Sequence, residues 1–184
     1  MKDALRKEYE IKRSSLTPDE IKNKSLCAQK MFLQSDLYKN SKCLMVYMPL
    51  GKETCTDDII SKAFCDQKVV VIPVTDEKTG HITPVIIEPD TEYIKGAFGI
   101  REPEKKVICH KESIDTILVP GVAFDRFGNR MGFGKGCYDM FLEGFCGVKI
   151  GFCYELQISD KLPHSEKDIP MDYIISDKMI IDCQ

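Results

Sequence analysis

The chain has 184 residues, of which 43% are apolar and 30% are charged. This length and balance predict one globular domain, spanning residues 1–184, with a substantial core, and they exclude a disordered or fibrous chain. The net charge of −3 provides no broad basic surface. We therefore expect neither a nucleic-acid partner nor a membrane partner.

Nine cysteines are scattered along the chain, with no CxxC pair and an odd number that cannot pair completely. This pattern predicts a reducing compartment, without a disulfide framework or a zinc site. The first ten residues, MKDALRKEYE, are too highly charged for a signal peptide, and no run reaches the roughly 20 apolar residues of a membrane span. The sequence predicts a cytoplasmic protein, and we expect it to act as a monomer.

Predicted helices and strands alternate along the chain. A helix is predicted over residues 2–13, and a second begins at Thr17, with Glu20 completing a capping box. A further helix is predicted to begin near Thr56, and another to span residues 136–144. Residues 88–113 are predicted to form a polar, irregular loop. Apolar runs predict strands over residues 43–48, 69–74, 81–87, 114–124, 148–154 and 172–176. This alternation predicts an α/β fold: a three-layer, open, mostly parallel sheet flanked by helices, Rossmann-like.

Four glycines lie within nine residues after a predicted strand and its turn, at positions 128, 132, 134 and 136. Glycines let backbone N–H groups approach phosphate oxygens closely. Lys135 adds a point charge and Arg130 a forked donor. The spacing is not that of a Walker A loop, because Gly136 follows Lys135 where that motif has Ser or Thr. A plain turn with solvated cations explains the same residues, so spacing alone leaves both interpretations open.

Several charged residues elsewhere also allow two interpretations each. Asp139 is placed to hold Mg²⁺ together with substrate phosphates, or to stabilise the first turn of a helix. Lys2 and Arg6 share a helix face, where they either clamp a polyphosphate or are simply solvated. Glu53 follows a strand end, where open α/β sheets bind ligands, or it is a surface acid. Asp168 either brings a second carboxylate to the metal or begins a turn.

Taken together and in this order, these segments resemble the 5-formyltetrahydrofolate cyclo-ligases, also called methenyltetrahydrofolate synthetases. The resemblance covers nearly the whole chain, from Lys2-Asp-Ala-Leu-Arg6 to residues 168–175. Its most specific part is residues 120–139, which match the family pattern PG-x-x-F-D-x-x-G-x-R-x-G-x-G-x-G-x-Y-D. The chain departs from its relatives at Cys137, where they usually have an aromatic residue, and at Phe133, where they often have Arg or Tyr.

The resemblance implies an ATP- and magnesium-dependent cyclisation of 5-formyltetrahydrofolate to 5,10-methenyltetrahydrofolate, with ADP and phosphate released. It implies catalytic roles for Lys135 and Arg130 and metal binding by Asp139 and Asp168. The implied ATP contacts are Lys2, Asp3, Ala4, Leu5, Arg6, Arg130, Met131, Gly132, Phe133, Gly134, Lys135, Gly136, Cys137 and Tyr138. The implied folate contacts are Met48, Glu53, Phe133, Gly134, Lys135, Gly136 and Cys137.

Two other functions are compatible with the residues. A sugar-phosphate isomerase or similar enzyme on an open α/β sheet would use the glycine-rich loop for a substrate phosphate, without ATP. A non-catalytic folate- or nucleotide-binding module would bind ligand without turnover. Substrate-dependent release of ADP distinguishes the cyclo-ligase from both. The combination of Arg130, Lys135 and Asp139 argues against the binding module, since binding alone needs fewer convergent charges.

Overall fold

The computed structural model describes residues 2–183, apart from the side chain of Phe98. Its helices are α1 (Lys2–Ser14), α2 (Pro18–Gln34), α3 (Asp36–Asn40), α4 (Asp57–Cys65) and α5 (Cys137–Leu142). Its strands are β1 (Cys43–Met45), β2 (Val69–Thr75), β3 (Ile82–Ile87), β4 (Tyr93–Lys95), β5 (Arg101–Pro103), β6 (Val107–Ile108), β7 (Thr116–Val119), β8 (Ala123–Asp125), β9 (Arg130–Met131), β10 (Val148–Phe152), β11 (Ile158–Ser159), β12 (Tyr173–Ile175) and β13 (Ile180–Asp182).

Eight of these strands form one central sheet, in the spatial order β13-β12-β10-β7-β1-β2-β3-β6. The five strands from β12 to β2 are parallel to their neighbours. Antiparallel strands close the sheet on both sides, with β13 at one edge and β3 and β6 at the other. The strands β11, β8 and β9 form a small second sheet, and β4 pairs with β5. The predicted α/β fold with a mostly parallel sheet is confirmed.

The central sheet is covered on both faces because successive side chains of a strand point in opposite directions. Leu44 belongs to a core cluster that includes residues of α2, α3 and α4. Its neighbour Met45 belongs to a second cluster that includes Phe141 and Leu142 of α5. These apolar strands, buried on both sides, are typical of parallel sheets between helical layers. The sheet is therefore the middle of three layers, as predicted.

Helices α1, α2, α4 and α5 begin within a residue or two of the predicted starts, α3 was not predicted, and α2 has the predicted capping box. The Thr17 hydroxyl accepts a hydrogen bond from the Glu20 N–H at 3.3 Å, and the Glu20 carboxylate accepts one from the Thr17 N–H at 2.8 Å. In the part of the chain from residue 2 to residue 183, no helix has both the length and the apolar character needed to cross a membrane.

The predicted strand over 114–124 is wrong as a single element, because it divides between two sheets. Its first half is β7 of the central sheet, and its second half enters β8 of the small sheet. Pro120 lacks the N–H that a ladder requires, and Gly121 lies so close to Phe124 that a Cβ there would be 2.7 Å from the ring. The apolar run is continuous, but its backbone pairing is not.

Two other predicted segments also differ from the structure. The predicted strand over 43–48 is assigned only as far as Met45; Val46 still donates its N–H to the Val71 carbonyl oxygen of β2 at 2.8 Å, and the buried chain then leaves the sheet. The predicted irregular loop over 88–113 contains β4, β5 and β6. Tyr93 pairs with Pro103 across the β4–β5 hairpin, and Val107 pairs with Ile86 of β3. Polar composition concealed these short strands, because their pairing depends on residues outside each local run.

The turn between β8 and β9 is built around the fully buried carboxylate of Asp125. One carboxylate oxygen accepts the N–H groups of Phe127 and Asn129, each at 3.0 Å. The other accepts the Asn129 side-chain amide at 2.9 Å and the Leu162 N–H at 2.8 Å. Asp125 therefore sets the turn and joins it to the segment near residue 162.

Replacing this carboxylate should destabilise the fold. In Asp125→Ala, the buried donors that now meet the carboxylate lose their acceptor, so we expect the free energy of unfolding to fall by roughly 3 kcal/mol or more. Urea denaturation monitored by circular dichroism measures the change. The matched control Asp160→Ala removes an exposed acid and should change the value by less than about 0.5 kcal/mol. Equal losses in both variants would contradict the role of Asp125.

Candidate active site

A cleft of about 540 Å³ opens where parallel strands of the central sheet end. Tyr47 and Met48 follow β1, Thr75 is the last residue of β2, and Pro120 follows β7 directly. The carboxyl ends of parallel strands are the usual location of ligand crevices in open α/β sheets. The cleft is lined by Lys2, Arg6, Tyr47, Met48, Leu50, Glu53, Pro73, Thr75, Ile100, Pro120, Arg130, Met131, Gly132, Phe133, Gly134, Lys135, Gly136, Cys137, Tyr138, Asp139, Pro163 and Asp168.

The glycine-rich loop, residues 132–136, connects β9 to α5 and forms one side of the cleft. Gly134 and Gly136 have φ values of +96° and +68°, a region that L residues with a Cβ rarely adopt. A Cβ on Gly134 would also lie 3.6 Å from the Arg6 guanidinium. The loop can therefore follow this path because glycine occupies these positions.

The side chain of Arg130 is 5% exposed and lies at the base of this loop. Its Nη2 donates to a carboxylate oxygen of Asp139 at 3.0 Å, and its guanidinium lies 5.6 Å from the centroid of the Tyr138 ring. The Nη1 atom lies 3.5 Å from the Pro120 carbonyl oxygen. The Nε–H is buried and meets no acceptor among the residues that the structure describes. Arg130 is thus oriented by the protein and keeps one donor unused.

Helix α1 brings two basic side chains from the start of the chain into the cleft. Lys2 Nζ donates to a carboxylate oxygen of Asp168 at 2.9 Å, across 166 residues of sequence. Arg6 Nε donates to the carbonyl oxygen of Gly132 at 2.9 Å, and its guanidinium also pairs with Asp3. The helix packs on the small sheet through Leu5 and Tyr9. Packing of α1 on that sheet therefore fixes where both cations lie.

Two carboxylates in the cleft are held by protein donors. Asp139 accepts from Arg130 and, at 3.4 Å, from the Ile169 N–H. Asp168 accepts from Lys2 and, at 2.7 Å, from the Ser165 N–H. Burial works to raise the pKa of Asp168, but these hydrogen bonds and the charge of Lys2 outweigh it and lower the pKa. The lowered pKa keeps Asp168 ionised, so it could serve as an oxygen ligand for a hard cation.

No group of three or more His, Cys, Asp or Glu residues within residues 2–183 is arranged to hold a metal ion by itself. Mg²⁺ fits a site of this kind, since it commonly uses one or two carboxylates together with phosphate oxygens and water. Asp139 and Asp168 are the two cleft carboxylates near basic residues. They are the residues that would hold the metal.

Glu53 provides a different kind of carboxyl group in the same cleft. It is 8% exposed, and one oxygen accepts the Leu50 N–H at 2.9 Å. Burial raises the pKa of Glu53, while the Leu50 hydrogen bond and the positive charge of Arg13 oppose the increase. Tyr47 and Tyr138 interact electrostatically with Glu53, and burial raises the pKa of both phenols, so they remain neutral. The result is a buried acid among aromatic side chains.

The structure brings nearly all the predicted site residues into the cleft, but not three in α1. Asp3 is exposed and pairs with Arg6, Ala4 is exposed, and Leu5 packs in the small cluster with Tyr9. None of these three side chains lines the cleft. Their predicted ATP contacts stay predictions that this geometry does not support.

Several residues that line the cleft have no role predicted from the sequence. Tyr47, Thr75 and Pro120 lie at strand ends, so the rule that places ligands at such ends could have found them. Ile100 belongs to the β4–β5 hairpin, which was predicted to be irregular. Only tertiary packing brings it to the cleft. The lining residues without a predicted role are Tyr47, Leu50, Pro73, Thr75, Ile100, Pro120 and Pro163.

Comparison with known proteins matches this architecture to one family. A model of the 5-formyltetrahydrofolate cyclo-ligase family matches residues 1–177. A probable 5-formyltetrahydrofolate cyclo-ligase of Caenorhabditis elegans is 31% identical, with 95% of this chain and 92% of that protein covered. The 5-formyltetrahydrofolate cyclo-ligase of Escherichia coli K12 is 26% identical, with 90% and 94% covered.

Solved structures lead to the same family. The NMR structure of the 5,10-methenyltetrahydrofolate synthetase of Aquifex aeolicus superposes with a TM-score of 0.89 at 31% identity, covering 100% of this chain and 93% of that one. A 5,10-methenyltetrahydrofolate synthetase of Mycoplasma pneumoniae gives a TM-score of 0.77 at 26% identity, covering 96% and 99%. The chain therefore belongs to the 5-formyltetrahydrofolate cyclo-ligase family and is a ligase.

Proposed function

We propose that this protein converts 5-formyltetrahydrofolate to 5,10-methenyltetrahydrofolate in a reaction that requires ATP and Mg²⁺ and releases ADP and phosphate. The observation that carries the proposal is the composition of one cleft. The glycine-rich loop, four basic side chains and two carboxylates lie there together with a buried glutamate among aromatic residues. The loop, the basic side chains and the two carboxylates suit a metal-bound polyphosphate. The buried glutamate and its aromatic neighbours suit a flat ring that carries amine donors.

The proposed phosphate-binding half consists of Lys2, Arg6, Arg130 and Lys135 with the loop. Lys2 pairs with Asp168 and Arg130 pairs with Asp139. When a metal-bound polyphosphate binds, each side chain can exchange its ion-pair partner for the ligand. The cations would then bind phosphate oxygens, and the carboxylates would coordinate the metal.

The proposed folate-binding half is centred on Glu53 and Met48. A buried carboxylate accepts hydrogen bonds from ring amines strongly, because little water competes for it. Tyr138 interacts electrostatically with both Glu53 and Arg130, so it adjoins both halves of the cleft. The formyl group of a folate held by Glu53 would then lie within reach of the phosphate-binding side chains.

In the proposed reaction, the formyl oxygen takes the γ-phosphoryl group of ATP, which turns a poor leaving group into a good one. The neighbouring bridging nitrogen of the folate attacks the activated carbon and gives up its proton to water, and the ring closes as phosphate leaves. Arg130 and Lys135 neutralise charge on the transferred group and hold it in line. When bound, Mg²⁺ supplies further neutralisation of phosphate charge. No protein nucleophile is needed, so the cysteines have no required chemical role.

Removing one cation of the loop should impair turnover without unfolding the protein. For Lys135→Ala we expect kcat/KM to fall by about 10²–10³-fold, the usual effect of losing a donor that stabilises transition-state charge. Appearance of the near-UV absorbance of the methenyl product, together with ADP release, measures the reaction. Lys7→Ala is the matched control, because Lys7 is an exposed lysine of α1 that does not line the cleft.

The same assay tests the cofactors and the competing functions. Chelating the metal should stop product formation, and adding Mg²⁺ back should restore it. ADP release should require the folate substrate. A well-folded protein that forms no methenyl product under these conditions would contradict the proposed reaction, and unchanged turnover in Lys135→Ala would contradict the role of that lysine.

The raised pKa of Glu53 predicts a pH effect on folate binding. Because the pKa is raised, Glu53 takes up its proton at a higher pH than an ordinary glutamate, and the neutral acid is a weaker acceptor. We expect KM for the folate to increase as the pH falls through this raised pKa. In Glu53→Gln, KM should be high throughout, and this pH dependence should disappear.

Steady-state kinetics at a series of pH values measures the effect, with Glu92→Gln, an exposed acid outside the cleft, as the matched control. A Glu53→Gln variant whose KM changes with pH in the same way as the unmodified protein would remove Glu53 from the folate site.

A further inference from the structure

Helix α1 touches the glycine-rich loop at points that line up along one side of the helix. Arg6 donates to the Gly132 carbonyl oxygen, and its guanidinium lies against Gly134. Two helical turns later, the Arg13 guanidinium lies 5.4 Å from the centroid of the Phe133 ring. The end of α1 is held in turn by Lys52, whose Nζ donates to the carbonyl oxygens of Ser14 and Leu16 at 2.5 and 2.7 Å. The loop thus contacts a helix whose C-terminal end is held by hydrogen bonds from Lys52.

Phe133 is the loop side chain that Arg13 of α1 contacts. It lies between Gly132 and Gly134, which offer no side chains, and it remains 51% exposed although it lines the cleft. Even with Arg13 nearby, about half of the surface of Phe133 therefore remains exposed. A guanidinium near an aromatic ring is attracted by the negative face of the ring and covers apolar surface at the same time. Arg13 supplies this contact from outside the loop.

We propose that Arg13 is a positioning residue that, by stacking on Phe133, holds the glycine-rich loop in the conformation that lines the cleft. Its importance for turnover rests on the function proposed above, but its hold on the loop does not. Without the Arg13 contact, the loop keeps only its Arg6 hydrogen bond to α1 among these contacts and would populate other conformations more often, so a ligand would first have to select the binding-competent one. The apparent affinity falls in proportion to the fraction of molecules in the binding-competent conformation. The bound geometry, and hence kcat, stays the same.

Four variants test this inference: Arg13→Gln, Arg13→Lys, Phe133→Leu and the double variant Arg13→Gln/Phe133→Leu. An exposed cation–π contact corresponds to about a two- to fivefold change in equilibrium. Because the apparent affinity scales with the competent fraction, we expect KM for ATP to rise by up to about fivefold in Arg13→Gln, with kcat unchanged. Arg13→Lys should recover part of the loss. In the Phe133→Leu background, the Arg13→Gln change should add little, because the contact is already absent.

Lys12→Gln is the matched control. Lys12 lies 4.4 Å from the centroid of the Tyr9 ring and pairs with Glu8, all within α1. This variant removes a cation–π contact from the same helix without touching the loop, so KM for ATP should not change. An equal increase of KM in Lys12→Gln would show that general loosening of α1 explains the result, and it would overturn the proposal.

Hydrogen exchange of the ligand-free protein gives a readout that needs no turnover. Amides of residues 132–136 should exchange faster in Arg13→Gln and in Phe133→Leu than in the unmodified protein or in Lys12→Gln. Unchanged exchange, fully additive KM effects, or a fall in kcat at constant KM would each overturn the positioning role. If the loop responds as expected but the unmodified protein forms no methenyl product, the proposed function fails and the hold of Arg13 on the loop stands.

Discussion

The contact between Arg130 and Asp139 constrains how three chain segments meet at the glycine-rich side of the cleft. A guanidinium that is 5% exposed is very unfavourable unless partners surround it, because an uncompensated buried charge costs several kcal/mol. Asp139 provides the opposite charge, Tyr138 provides a ring face, and the Pro120 carbonyl oxygen lies nearby. The end of β7, the strand β9 and the start of α5 must therefore meet at one point. The glycine-rich loop is the chain that spans the remaining gap.

This arrangement also gives the cleft a charged side built from paired groups. Lys2 pairs with Asp168 and Arg130 pairs with Asp139, so these four side chains hold one another in place. Preorganised charges of this kind need little rearrangement when they bind a ligand, which is how proteins stabilise charge during phosphoryl transfer. Glu53 is held differently, by burial and a backbone N–H, and it stays separate from these pairs.

The sequence predicted the fold class, the capping box of α2 and most of the residues that line the cleft. These features are local or carried by a long specific pattern, and residues 120–139 contain both the Asp125 turn and the glycine-rich loop. It failed where backbone pairing is not local. The run over 114–124 looks like one strand because its residues are uniformly apolar, yet Pro120 and Gly121 send its two halves into different sheets. The short strands within 88–113 were missed for the same reason.

By itself, the sequence determined which residue types are available for phosphate and metal binding and where glycine is required by the backbone. Tertiary structure alone decided which of them meet. Lys2 contacts Asp168 across 166 residues of sequence, and Arg13 contacts Phe133. Both contacts form because α1 packs on the small sheet, and no local sequence pattern predicts that packing. Asp3, Ala4 and Leu5 share the same segment but not the cleft, because a helix turns successive side chains in different directions. Burial of Glu53, which raises its pKa, likewise depends on neighbours distant in sequence.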